Sequence, residues 1–267
     1  MKPCQKWRGF VVWEGRMRIG VIGTGFMAAQ VVRTVAGDGH EICVSPRTRA
    51  RAKGLAAEFD SVTIADNQAV LDQSDVILVG LLAEVAQQLL PGLRFRAEHK
   101  VISLMAGLRQ ADLKALVAPV RDVAIAIPFP FVAQGGAPLL VYPETDVVRA
   151  LLGGHCALIC PDDEAVFNSY LAAQAVLSPV LKLLQQSTDW LAGHGADSDD
   201  AGRFLQSLVA GALTARPAGE TGIFTAMLDE LNTPGGLNAE LREHMVDAGM
   251  IRALRQGLDQ LDARLNG

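Results

Sequence analysis

Aromatic residues make up only 5% of this 267-residue chain, with two tyrosines and three tryptophans among them. Half of all residues are hydrophobic, so any core must rest on aliphatic packing, with Ala, Leu and Val at most candidate positions. Cysteine is scarce as well. Cys4, Cys43, Cys156 and Cys160 form no CxxC pair and no Cys/His array of zinc spacing, so no metal site is expected. The last two flank the apolar run Ala157-Leu158-Ile159, which marks them as buried, inert thiols. Positive charge is not in excess. A net charge of −5 and a pI of about 5.5 give no general attraction to nucleic acid or an anionic membrane. Mean hydropathy is high at +0.24, yet no apolar run reaches the roughly 18–20 residues of a membrane-spanning helix. The apolar surplus has to be hidden in a core or between subunits.

The first sixteen residues carry Lys2, Lys6, Arg8 and Arg16 and only a short apolar patch, Phe10-Val11-Val12-Trp13. This is not a secretory signal, and a cytoplasmic chain is expected. Met17 stands immediately before a strong strand, so residues 1–16 are read as an extension outside the fold.

From Met17 to Cys160, short apolar runs alternate with amphipathic stretches. The strands expected are Arg18–Ile22, Glu41–Val44, Asp75–Gly80, Lys100–Leu104, Val123–Ile127, Leu139–Tyr142 and Cys156–Ile159. Helical patterns fall at Ala28–Ala36, Thr48–Phe59 and Glu84–Leu90. Val76-Ile77-Leu78-Val79 is apolar on both faces, as strands are when helices cover both sides of a parallel sheet. After Pro161-Asp162-Asp163 the strands stop and long helical patterns take over. One carries Val166, Tyr170, Ala173, Leu177, Val180 and Leu184; another follows the polar run Asp197–Asp200; the last carries Ile251, Leu254, Leu258, Leu261 and Leu265. That last stripe serves either burial within the chain or pairing between subunits.

The first strand runs into Gly23-Thr24-Gly25-Phe26-Met27-Ala28, a G-x-G-x-x-A turn. Gly23 permits the tight strand-to-helix turn, Gly25 lets a pyrophosphate approach the backbone, and Ala28 keeps helix and strand close. The helix that follows offers unpaired N–H groups to phosphates. Because the turn follows a strand and opens a helix, it signals dinucleotide binding. The second strand ends in Val44-Ser45-Pro46-Arg47-Thr48-Arg49, with no carboxylate to repel a 2′-phosphate. Ser45 and Arg47 are available to hold one, so NADP(H) is the cofactor expected.

These pieces, followed by Val101-Ile102-Ser103-Leu104-Met105-Ala106-Gly107, Ile127-Pro128 and Thr233-Pro234-Gly235-Gly236, resemble the pyrroline-5-carboxylate reductase family from Met17 to about Arg264. The resemblance implies an α/β fold with an N-terminal Rossmann dinucleotide-binding domain over 17–160. It also implies an all-α dimerisation and substrate domain over 161–267. The implied reaction is NADPH-dependent reduction of a cyclic imine acid, and the implied assembly is a homodimer or higher homo-oligomer through the C-terminal helices. It places the cofactor on Gly23, Thr24, Gly25, Phe26, Met27, Asn67, Leu81 and Ala106. The substrate falls to Ser178, Gly235, Gly236 and Leu237, with Thr233 and Asn238 at the chemistry. Gly235 and Gly236 leave backbone N–H groups uncovered for a carboxylate at a helix start. Read locally, Asn67 is a helix N-cap for Gln68–Leu71.

Several positions depart from the family pattern. Asn238 stands where the family has a Thr whose hydroxyl meets the substrate nitrogen, and an amide is a poor proton donor. Phe26 replaces a common Asn, Leu81-Leu82 replaces Lys-Pro, and Ile127-Pro128-Phe129-Pro130-Phe131 replaces Met-Pro-Asn-Thr-Pro. These changes make the substrate end more apolar. They also leave open a different imine or carbonyl substrate, or a non-catalytic dinucleotide-binding regulator. His155, His194 and His244 have no evident paired carboxylate and are read as surface or packing residues. No Ser-His-Asp order or HExxH motif suggests hydrolysis.

Overall fold

The computed structural model describes residues 15–216 and 221–267. The extension expected over residues 1–16 lies outside the described residues, apart from the exposed Gly15 and Arg16. Chain contacts divide the rest into two units, residues 15–170 and residues 171–267.

The first unit carries one sheet of β1 (Arg18–Ile22), β2 (Glu41–Val44), β3 (Val62–Ile64), β4 (Val76–Val79), β5 (Lys100–Ser103), β6 (Asp122–Ile127), β7 (Ala137–Tyr142) and β8 (Cys156–Ile159). The spatial order is β3-β2-β1-β4-β5-β6-β7-β8. The first six strands run parallel, β7 pairs antiparallel to β6, and β8 pairs parallel to β7. Between them lie α1 (Phe26–Val35), α2 (Arg49–Glu58), α3 (Asn67–Gln73), α4 (Ala83–Leu89), α5 (Gln110–Leu116) and α6 (Asp146–Leu152), and α7 (Glu164–Ala173) follows β8. The order reverses between β1 and β4, the place where an open α/β sheet forms a ligand crevice beyond its strand ends. β4 is buried along its whole length, as its two-faced apolar sequence requires.

The sequence pattern missed β3. This strand has only three residues, lies at the sheet edge, and exposes Thr63 and Ile64, so neither an apolar run nor an alternation marks it. Outside the sheet, α3 ends on an unusual cap. The Arg96 guanidinium donates to the carbonyls of Leu71, Asp72 and Ser74. Buried His99 accepts the Arg96 N–H at Nδ1 (3.1 Å), which leaves Nε2–H to donate to the Leu71 oxygen at 3.1 Å. A cation and a neutral imidazole thus satisfy the helix's terminal carbonyls.

The second unit is helical: α8 (Leu177–Gly193), α9 (Ser198–Thr214), α10 (Ile223–Glu230), α11 (Leu237–Asp247) and α12 (Met250–Asn266). Asp197 caps α9 by accepting the N–H groups of Asp199 and Asp200, in the polar run that marked its start. The stripe expected from Val166 to Leu184 is not one helix: a 3-10 turn at Gln174–Val176 separates α7 from α8. Pro179 explains the break. It has no N–H for the Ala175 carbonyl and its ring would collide there, so an α-helix cannot run through. Large apolar side chains of this unit are exposed, among them Trp190 (62%), Phe204 (60%) and Phe224 (67%). On α12, Leu254, Leu258, Leu261 and Leu265 are half-buried and Ile251 is exposed. Among the described residues, no helix is long and apolar enough to cross a membrane.

Candidate functional site

The glycine turn sits between β1 and α1, at the reversal of strand order. Gly23 has φ near +88°, and a Cβ there would meet Leu81 Cδ2 at 2.4 Å and the Gly80 oxygen at 2.7 Å. Gly80 in turn leaves no room for a Cβ, which would lie 2.7 Å from that of Ala28. The β1 and β4 ends are therefore locked together through glycine, and α1 is held close. Gly25 meets nothing nearer than 3.7 Å and stays open to a ligand. No side chain caps α1 and no acid lies in its first turn, so its leading N–H groups are available to an anion.

Two cavities run along this crest and share Gly23, Arg47 and Leu81. The adenosine-side cavity, about 580 Å³, is lined by Arg47, Arg49, Asn67, Leu81 and Val85 among others. Arg47 and Arg49 are both exposed there. The sequence reading missed Arg49, although it lies in the same Pro46-Arg47-Thr48-Arg49 run.

Two expectations at this end are corrected. Ser45 is fully buried, and its Oγ accepts the Gly23 N–H at 2.9 Å. It therefore braces the glycine turn and does not hold a phosphate. Asn67 is not the N-cap of its helix: Asp66 is, with Oδ1 accepting from Ala69 N at 2.9 Å, and Asn67 opens α3 facing the cavity. Thr24 is also fully buried and donates its hydroxyl to the Ser45 carbonyl at 2.7 Å, so only its backbone can meet a ligand.

The other cavity, about 520 Å³, brings together Gly25, Phe26, Met27, Leu82, Met105 and Ala106. Phe26 and Leu82 are 49% and 72% exposed, whereas Met105 is buried. Apart from Arg47 and Thr48, and the engaged Thr24, every side chain lining it is apolar or absent. Beyond β6, Phe129 and Phe131 stack with centroids 6.0 Å apart and planes at 15°.

The substrate-end residues lie in the helical unit. Ser178 is exposed in the first turn of α8, and Thr233 and Asn238 are exposed around the start of α11. Gly235 takes a positive φ of 68°, while the Gly236 N–H donates to the Thr233 carbonyl at 2.9 Å. The expected uncovered N–H at Gly236 is thus corrected: closing the turn uses it. Leu237, 84% exposed, begins α11, whose first turn has no side-chain cap and carries Glu240.

Two histidine clusters lie away from the cavities. His155 does have a carboxylate partner, with Nε2 at 2.6 Å from Asp38 Oδ2, contrary to the sequence reading. Its pairing was invisible because the two residues are remote in sequence. Burial lowers the pKa of His40, whose Nδ1 accepts the Met17 N–H. Burial also lowers that of His99, with Arg96 adding to the effect. Burial pushes the Cys43 and Cys156 thiols up, which leaves them poor nucleophiles.

The glycine turn, the crest cavities and the parallel strand order define a Rossmann nucleotide-binding unit followed by a helical unit. Residues 18–107 match the family described as NADP oxidoreductase, coenzyme F420-dependent. Among solved structures, pyrroline-5-carboxylate reductase from Streptococcus pyogenes is similar at 18% identity and a TM-score of 0.80, over 94% of this chain and 98% of that one. The pyrroline carboxylate reductase of Plasmodium falciparum, solved with NADP bound, gives 13% identity and a TM-score of 0.72 over 94% and 99%. A reductive aminase from Aspergillus terreus, in complex with NADPH and ethyl-5-oxohexanoate, gives 19% and 0.61 over 93% and 92%. No curated protein sequence matches the chain. The resemblance to pyrroline-5-carboxylate reductases first read from short motifs is met in the fold of both units.

Proposed function

We propose that the protein is an NADP(H)-dependent oxidoreductase that reduces the C=N bond of a cyclic imine acid, after the manner of pyrroline-5-carboxylate reduction to proline. The observation that carries the reading is the adenosine-side cavity: Arg47 and Arg49 line it, and β2 ends without a carboxylate. Pairing a 2′-phosphate with guanidinium groups favours NADP(H) over NAD(H). The cradle fits the dinucleotide elsewhere too, since Gly25 is open and the α1 N–H groups face the pyrophosphate position.

When bound, the reduced nicotinamide supplies a hydride to the imine carbon. This chain's residues do the rest. The α1 N–H groups and the two arginines fix the phosphates, while Leu81, Leu82 and Met105 line the reacting end with apolar side chains. No carboxylate, histidine, lysine or tyrosine lines that cavity. The nitrogen is accordingly protonated before hydride arrives, and the C=N electron pair collapses onto it to leave a neutral amine. In the helical unit, exposed Asn238 offers an amide whose Oδ1 accepts hydrogen bonds and which is no effective proton donor to an imine. Within that unit the first turn of α11, which no side chain caps, has N–H groups free to bind a carboxylate.

The exposed apolar side chains of α8–α10 support a homodimer through the helical unit, and NADPH-dependent metabolism suits a cytoplasmic setting. The test is NADPH oxidation with pyrroline-5-carboxylate and with a panel of cyclic imines and small ketones. Turnover of imines supports the proposal. Turnover of ketones alone would move it to carbonyl reduction, and tight NADPH binding without any turnover would make the chain a dinucleotide-binding regulator.

A further inference from the structure

We infer that Thr24 is a positioning residue for cofactor choice: through the Ser45 carbonyl, its hydroxyl fixes the segment bearing Arg47 and Arg49 against the glycine turn. The inference rests on the NADP(H) reading and specifies how its two cations are held in place.

β1 and β2 pair in register only as far as Val21 and Val44. Beyond that point both chains leave the sheet, one into the glycine turn and the other into the segment with the two arginines. The main chain adds one more bond, from the Ser45 N–H to the Val21 carbonyl at 2.9 Å. Two side-chain bonds then take over. Ser45 Oγ accepts the Gly23 N–H at 2.9 Å, and Thr24 Oγ1 donates to the Ser45 carbonyl at 2.7 Å. Both side chains are fully buried, so no water competes for either bond. The two bonds hold opposite partners. The first supplies the Gly23 N–H with its acceptor and steadies the phosphate turn. The second holds the peptide that leads into Pro46, a residue with no N–H of its own to anchor it. Arg47 is the next residue on, and it lines both crest cavities. A dinucleotide sets the spacing between its pyrophosphate and 2′-phosphate by covalent length. The Thr24 bond sets the matching spacing in the protein, between the turn and the cations, before the cofactor arrives.

The experiment titrates the full chain with NADPH and with NADH and compares the two dissociation constants. Thr24→Val keeps the shape and removes the donor. It should cut the NADPH-over-NADH preference about three- to tenfold, mostly through weaker NADPH binding. Thr24→Ser, which restores the hydroxyl, should restore the preference. Ser45→Ala leaves the Thr24 bond in place and orphans the Gly23 N–H, so both cofactors should weaken alike and the preference should hold. In a chain already carrying Arg47→Ala and Arg49→Ala, adding Thr24→Val should no longer change the preference, because the cations it positions are gone. Should Thr24→Val not fold, Thr24→Cys, whose thiol is a weak donor, takes its place under the same expectation. An unchanged preference in Thr24→Val, or an equal loss of both cofactors, would overturn the inference. So would failure of Thr24→Ser to restore the preference, a preference lost in Ser45→Ala, or a further drop in the background without the two arginines. Each of these leaves the NADP(H) reading standing. A wild-type chain that binds NADH as tightly as NADPH would overturn that reading and the inference with it.

Discussion

On the proposed reading, the cofactor preference rests on two exposed side chains, Arg47 and Arg49. Charge-assisted hydrogen bonds to a phosphate contribute about 1.5–3 kcal/mol each, which is roughly a ten- to hundredfold change in affinity. Arg47→Ala should therefore weaken NADPH binding by about that factor and leave NADH binding nearly unchanged, as read by fluorescence titration. A variant that kept its full preference for NADPH would assign the discrimination elsewhere. The run Ser45-Pro46-Arg47-Thr48-Arg49 was readable as a phosphate site because it combines cations with a missing acid. It misled about Ser45 because burial is set by tertiary contact: the hydroxyl at the end of β2 points inward to Gly23. His99 gives a second residue-level expectation. Burial lowers its pKa below the ordinary histidine value of 6.5, so the unfolded chain takes up a proton that the folded chain refuses. Stability should be full above that value and fall as pH drops through it towards the lower folded pKa, with His40 contributing in the same sense. In His99→Gln, thermal melts should start lower at pH 7 than wild type, and the gap should narrow towards pH 5.

Among the elements, the β1–α1 and β4–α4 turns are one structure, since Gly23 and Gly80 each fill the space a Cβ would need in the other. Gly80→Ala would push a methyl to 2.7 Å from the Ala28 Cβ and 2.8 Å from the Gly23 oxygen. Overpacking of this kind costs about 1–3 kcal/mol. A melting temperature lower by several degrees and NADPH affinity reduced at least about tenfold are expected, because the strain falls on the phosphate turn itself. Normal NADPH affinity in a destabilised Gly80→Ala protein would separate the two turns. The G-x-G-x-x-A motif announced β1, the turn and α1, because each small residue there answers a local steric demand. Nothing comparable announced β3, which is short, half-exposed and fixed by pairing to β2. The α7–α8 break was also hidden, since the apolar stripe continues across it while Pro179 interrupts only the backbone. The cap on α3 was beyond reach for another reason: Arg96 and His99 come from a later segment, and no spacing rule links them to Leu71.

For the whole molecule, the helical unit does not close on itself. Its large side chains Trp190, Phe204, Leu208 and Phe224 are exposed, and α12 and the start of α8 bound an apolar groove of about 520 Å³ lined by Val176, Pro179, Leu254, Leu258 and Leu261. Exposed apolar area on this scale is what the proposed homodimer would cover, since a second copy presents the same faces. On the proposed dimer, the apolar surplus of the composition goes into an interface, with the half-buried α12 stripe shared between copies. In a two-fold interface every substitution acts twice. Burial of a phenylalanine contributes about 1.5–3 kcal/mol, so removing one from both copies weakens association by roughly a hundredfold or more. Sedimentation of the wild-type chain should give a dimer or larger closed oligomer at micromolar concentration. Phe204→Asp with Leu208→Asp should shift it to monomer. Because both side chains already face water in the isolated chain, the variant should retain its folded Rossmann unit and bind NADPH. A monomeric wild type, or a double variant that stays assembled, would remove the interface from α9.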